Sequence, residues 1–179
     1  MRKLFAFLVG LAACTGASAQ SGLEAQRAAM ARLAWMAGAW EGTSTIQERD
    51  GEKSSLSHEW IRLAGGGLAV MIQGRHYRKL PDGGRGEVVL DTAGMMTYDP
   101  AAKKYRFITQ LQDGRGGIHD AVMQGDTLSW RIDLNNAHVR YDITRSARGE
   151  WSELGYFCRD GAACVPFFKM LLERKGDAP

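Results

Sequence analysis

The spacing of apolar residues changes once along this chain. From Gln20 to Ala37 it is helical: Leu23, Gln26 with Arg27, Met30, Leu33 with Ala34, and Ala37 recur at steps of three and four, with the apolar members on one side. Ala is frequent here, Pro is absent, and Gly38 supplies a C-terminal stop. The polar side carries no cationic cluster, so the stripe is read as packing on the rest of the fold rather than on a membrane. From Trp40 onward the period shortens to two. Leu128, Trp130 and Ile132 alternate with Ser129, Arg131 and Asp133, and Val139, Tyr141 and Ile143 alternate with Arg140, Asp142 and Thr144.

Turn-forming clusters punctuate this second region every eight to fourteen residues, among them Asp50-Gly51, Gly65-Gly66-Gly67, Asp82-Gly83-Gly84, Asp113-Gly114, Gly125-Asp126, Asn135-Asn136 and Asp160-Gly161. The runs between them predict about ten strands, near 39–49, 53–63, 67–79, 87–98, 104–112, 117–123, 127–133, 138–146, 150–158 and 164–173. The looser spacing of Leu56, Trp60 and Leu63 places a bulge near Arg62. An open sheet of that many strands leaves two exposed edges, and closure removes them. The expected fold is all-β: an antiparallel meander barrel with one N-terminal helix.

The first nineteen residues stand apart. Arg2 and Lys3 precede an apolar run from Leu4 to Ala13, too short to span a bilayer. Ala17-Ser18-Ala19 then has the small-x-small pattern of signal peptidase cleavage. The expected organisation is a signal peptide over 1–19 and one domain over 20–179, periplasmic or secreted. The rival reading takes Leu11-Ala12-Ala13-Cys14 as a lipobox, with the protein anchored to a membrane through a lipidated Cys14. Arg2 and Lys3 belong to the leader, which leaves 21 of the 23 basic residues against 20 acidic ones. So balanced a domain argues against a nucleic-acid partner.

Export also sets the meaning of the cysteines. Cys158 and Cys164 flank a turn-like segment centred on Asp160-Gly161, and each adjoins a β-like run. In an oxidising compartment this predicts a structural disulfide across a hairpin. A redox pair or half a metal site is the alternative, but the spacing is not C-x-x-C and no His is near in sequence.

Four segments together resemble the calycin group, and more closely bacterial lipocalin-like families of unknown function. They are Leu33-Ala34-Trp35-Met36-Ala37-Gly38-Ala39-Trp40-Glu41-Gly42, then Trp60 with Leu63 to Leu68, then Thr97-Tyr98-Asp99-Pro100 with Lys104-Tyr105. The last is Trp151 to Gly155 running into Phe167-Phe168-Lys169-Met170 and Glu173-Arg174. The likeness implies that Trp40 lies across the closed end and that Arg174 stacks on it as a structural cation–π pair. The related nitrobindin barrels hold haem through a His near the C-terminus. No His follows His138 here, so the resemblance carries no haem, and no cofactor is expected.

Candidate chemistry is sparse. None of His58, His76, His119 and His138 has metal-site spacing, and no metal is expected. A G-x-S-x-G elbow and a phosphate loop are both lacking. His58 shares a strand face with Trp60 on the two-residue period, and Glu153 shares one with Trp151, Gly155 and Phe157. If that face is the lumen, Glu153 pairs there with Arg140 or Arg106. His76, among Arg75, Tyr77, Arg78 and Lys79, is read as part of a basic rim. The expected ligand contacts are His58, Trp60, Trp130, Tyr141 and Glu153, around a small apolar or amphiphilic molecule.

Two other functions compete with this carrier. One is an isomerase or cyclase using His58 or Glu153 as general acid or base, marked by a lumen carboxylate and histidine within reach of each other. The other is an envelope interaction module, marked by a barrel filled solid.

Overall fold

The computed structural model describes the backbone of residues 13–178 and the side chains of residues 20–178. Most of the segment read as a leader therefore lies outside the described residues, as do the side chains of its last seven positions, Cys14 among them. Helix α1 spans Ala13–Ala31, and a single 3-10 turn follows at Ala34–Met36. Ten strands come next: β1 Gly38–Glu48, β2 Gly51–Ala64, β3 Ala69–Lys79, β4 Arg85–Asp99, β5 Lys104–Leu111, β6 Gly116–Gln124, β7 Thr127–Leu134, β8 Ala137–Arg145, β9 Trp151–Arg159 and β10 Val165–Gly176. Each pairs antiparallel with its successor, and β1 pairs with β10, so the meander closes into a barrel. Among the described residues, no helix is long and apolar enough to cross a membrane.

Two local expectations are corrected. The helix does not run on to Ala37. The amides of Leu33 and Met36 bond three residues back, to Met30 and Leu33, which tightens the chain and swings it toward β1. Met30, Leu33 and Met36 thereby drop into the end of the barrel, fully buried. Gly38 opens β1 rather than capping a helix. Its φ is +142°, and a Cβ there would sit 2.6 Å from the Arg174 Nε and 2.8 Å from the Gly176 carbonyl. The bulge foreseen near Arg62 is also missing. β2 runs in unbroken register with β1 and with β3. Its irregular apolar spacing has another cause: Ser57 and Glu59 point inward with Ile61, and Leu63 is 44% exposed.

The helix end closes the barrel. The Trp40 indole donates to the Met36 carbonyl at 2.7 Å, and Trp35, Trp40 and Trp151 meet edge to face at 5.9–6.0 Å. The Tyr105 hydroxyl donates to the Ala29 carbonyl at 2.8 Å, which ties α1 to β5. Each large apolar side chain buried in this floor contributes about 1.5–3 kcal/mol. The turns after β1, β3, β5, β7 and β9 gather at the opposite end, which stays open.

Candidate functional site

The barrel is hollow. A cavity of about 1380 Å³ runs from the floor to the open end, walled by Ile72, Met96, Phe107, Trp130, Tyr141, Ile143, Trp151, Phe168 and Met170. Met36 reaches it from below, while Glu48, Lys53, Arg78, Lys79 and Arg115 stand where the turns form the mouth. A solid-core barrel is thus not what this sequence makes. A second, more open hollow of about 610 Å³ lies at the floor end among Arg32, Trp35, Met123, Asp126 and residues 145–149.

A polar cluster interrupts the apolar wall on β1, β2 and β3. The Ser57 hydroxyl donates to Ser44 Oγ at 2.8 Å, and His76 Nδ1 lies 3.0 Å from Ser57 Oγ and 3.2 Å from Ser44 Oγ. The other ring nitrogen, Nε2, faces Glu59 Oε1 at 3.4 Å. All four side chains are buried. Space for the Glu59 carboxyl comes from Gly74, its register partner on β3. A Cβ at that position would lie 2.6 and 2.7 Å from the two carboxylate oxygens and 2.7 Å from Thr92 Oγ1.

The same device recurs around the lumen. A Cβ on Gly155 would meet the Tyr141 ring at 3.0 Å, one on Gly94 the Phe107 ring at 2.8 Å, and one on Gly117 the His119 imidazole at 3.0 Å. Inward glycines let neighbouring rings lie flat along the wall, and this keeps the centre open. Trp130 stacks on Tyr141 at 4.6 Å and touches Phe107 and His119. The His119 Nε2 sits 3.1 Å from Thr109 Oγ1, and burial lowers the pKa of this imidazole.

Glu153 lines the same cavity from β9. Burial is the main cause that lifts its pKa from 4.5 to about 8, and the charge of Glu59 adds to it. The indole N–H groups of Trp130 and Trp151 act in the other direction, as donors favouring the carboxylate. Neither indole closes a hydrogen bond of ordinary geometry, so both remain buried donors with unused capacity. Burial likewise raises the Tyr141 phenol to about 12, helped by the Glu153 charge.

Of the residues singled out in the sequence, Trp130, Tyr141 and Glu153 face this cavity together. His58 and Trp60 do not. Inward Ser57 and Glu59 fix the parity of β2, which sends both to the outer face. There His58 is covered by Trp60 and Tyr77, at 5.8 and 5.4 Å, and contacts Glu41 at 3.4 Å and the Arg85 guanidinium at 2.9 Å. Burial lowers its pKa. Neither Arg140 nor Arg106 reaches Glu153: Arg140 lies beside Asp142 and over Tyr156, and Arg106 bonds Asp120.

His76, read as rim, lies inside instead. Arg174 stands opposite Trp40 in the β1–β10 register, but its guanidinium bonds the Ala37 carbonyl at 3.3 Å and Asp177 at 2.9 Å rather than covering the indole. Cys158 and Cys164 form the expected disulfide, the mark of a non-cytoplasmic compartment. Strand pairing brings His138 opposite Cys158, so a ring nitrogen lies within 4.8 Å of both sulfurs, a neighbour distant in sequence. Both sulfurs are committed to each other and offer no thiolate.

Sequence reasoning missed Ser44, Ser57, Glu59, His76 and His119. The available signal was the period-two parity of Ile61 with Glu59 and Ser57, and of Val70 and Ile72 with His76. No family model matches this chain, and no curated protein matches it. Among solved structures it is similar to "Crystal Structure of Rv2717c from M. tuberculosis", at 13% identity and a TM-score of 0.62, covering 82% of this chain and 97% of that one. That likeness is one of fold, a closed ten-strand antiparallel barrel compatible with the lipocalin-like group.

Proposed function

We propose that this chain is an exported barrel that binds a small, mainly apolar molecule in its lumen. The observation that carries the reading is the open cavity of about 1380 Å³ with aromatic and aliphatic walls and a few buried polar groups. Such a surface has the composition of a ligand site, and its volume exceeds the ~300–1,000 Å³ common for drug-sized ligands. The disulfide and the leader-like N-terminus support export to the periplasm or beyond, with lipidation at Cys14 as the variant that would add a membrane anchor. Residues proposed to contact the ligand are Trp130, Tyr141 and Glu153, joined by Glu59, His76 and Trp151.

Native mass spectrometry of the protein expressed with its own leader, paired with its denatured mass, tests this. A small mass lost on denaturation is expected. A bare protein that also leaves an apolar dye such as anilinonaphthalene sulfonate dark would overturn the reading.

One observation favours a second reading. The His76 imidazole and Glu59 carboxyl share a contact inside the cavity, and Glu153 holds its proton at neutral pH. A proton acceptor and a proton donor lining one apolar cavity suit an acid–base isomerase or cyclase. Turnover of the bound molecule, read as a mass or absorbance change over time, separates enzyme from carrier.

A further inference from the structure

Resting on the lumen-binding reading, we propose that the bound molecule is an organic cation, an amine or quaternary ammonium on an apolar body, with Glu153 as its counter-ion. The argument starts from what surrounds Glu153 and what does not. Its carboxyl faces the cavity from β9, flanked on the same side by Trp151 and Gly155. Arg140 and Arg106, on nearby strands, are turned outward onto Asp142 and Asp120. The cations that do line the cavity stand at the mouth: Lys53, Arg78 and Arg115 pair there with Glu48, Glu87 and Asp113, and Lys79 follows Arg78 at the end of β3.

The hydrogen-bond donors that a carboxylate needs are nevertheless in place. Two buried indole N–H groups, of Trp130 and Trp151, lie near Glu153 and are not closed onto any other acceptor. A buried carboxylate needs both donors and a compensating positive charge. The protein supplies the first and withholds the second. The rings around the space, Trp130 stacked on Tyr141 with Trp151 below, are also the surfaces that attract a cation through their faces.

Glu59, which lines the same cavity from β2, adds negative potential, which opposes ionisation of Glu153 in the empty barrel and favours a bound cation. The other titratable groups on this lumen are His76 beside Glu59, His119 on β6 and Tyr141 on β8. The phenol stays protonated until about pH 12. From β10, Phe168 and Met170 bring no charge. Binding of a cation therefore converts Glu153 to the carboxylate and releases its proton.

The test uses four probes with one apolar body: 4-phenylbutylamine, its trimethylammonium analogue, 4-phenylbutanol and 4-phenylbutanoate. Each is titrated calorimetrically into the full protein at pH 7 in buffers of different ionisation enthalpy, with tryptophan fluorescence as a second readout. Both cations should bind at least tenfold more tightly than the alcohol, and the carboxylate should be weakest. Cation binding should release close to one proton. Glu153→Gln should abolish the preference for cations and the proton release.

If the alcohol or the carboxylate binds as well as the cations, the cation assignment falls while the lumen-binding reading stands. If Glu153→Gln keeps the preference, Glu153 is not the counter-ion and the proposal fails. If no probe binds and the protein carries no ligand of its own, both readings fall.

Discussion

Glu153→Gln is expected to stabilise the protein, and by an amount that depends on pH. The folded chain holds this carboxyl's proton up to about pH 8, against 4.5 for an ordinary glutamate, with burial as the first cause and the Glu59 charge as the second. Between those two values the unfolded chain has lost a proton that the folded chain keeps. Stability contributed by this group is therefore intact below pH 4.5, declines as pH rises, and levels off above 8. The limiting slope is about 1.4 kcal/mol per pH unit, so at pH 7 the native state gives up roughly 3 kcal/mol.

Gln carries no titratable proton and offers the two indole donors an acceptor of similar shape. At pH 7 the variant should melt about 5–12 °C higher, given the ~2–4 °C per kcal/mol typical of a domain this size. Thermal melts of both proteins from pH 4 to 9 provide the assay. Buried His58 and His119 have lowered pKa values and weaken the fold as pH falls below about 6.5. They do so equally in both proteins and drop out of the difference. A difference curve flat across pH 4.5–8, or a variant less stable than its parent at pH 8, would refute the reasoning.

Gly74→Ala should force the Glu59 carboxyl off its seat, because the new methyl group would lie 2.6 Å from one of its oxygens. A loss of about 1–3 kcal/mol in urea unfolding is expected, with displaced His76 side-chain resonances in the NMR spectrum. Trp40→Phe removes the indole donor to the Met36 carbonyl deep in the floor and should cost about 1–3 kcal/mol. Arg174→Met, at the exposed residue opposite, should change stability by less than about 1 kcal/mol. An equal loss at both positions would restore the stacked pair that the resemblance implied. Replacing Cys158 and Cys164 together by Ser should lower stability by about 2 kcal/mol and leave the far-UV circular dichroism of the barrel unchanged.

The architecture was legible because turns and period-two alternation are local signals. Gly65-Gly66-Gly67 takes three successive positive φ values, which leaves glycine as the natural occupant of that turn. On β7 and β8, Trp130 and Tyr141 follow the rule that the apolar face is the inner face, and both line the cavity. β2 inverts the rule. Its inner face carries Ser57 and Glu59, and its outer face carries His58 and Trp60, roofed by Tyr77 and Arg85. A reader who assigns the apolar residues to the inside shifts this strand by one residue and swaps every side chain between the two faces. His76 was lost for a different reason: its basic neighbours Arg75, Arg78 and Lys79 made it read as rim. The glycines singled out in the sequence were read as turn punctuation or, at Gly38, as a helix stop. Gly74, Gly94, Gly117 and Gly155 act through space, by leaving room for side chains from a neighbouring strand or two residues along.

The inverted strand bears on function. Buried polar groups are costly, and an apolar residue in their place would usually make a firmer core. Here Ser44, Ser57, Glu59 and His76 form one bonded chain on three adjacent strands, and Glu153 faces the same lumen with its proton retained. Around them the wall glycines keep side chains flat and the middle of the barrel empty. Each feature weakens a barrel whose task is only to be a barrel, and together they furnish a hollow with a few polar groups of defined orientation. The glycine voids and the polar groups coincide on the inner wall, while the floor of Met30, Leu33, Met36 and Trp40 is packed without compromise. A chain that can pack one end this well and leaves the lumen open and polar has its stability distributed as the proposed lumen-binding function requires.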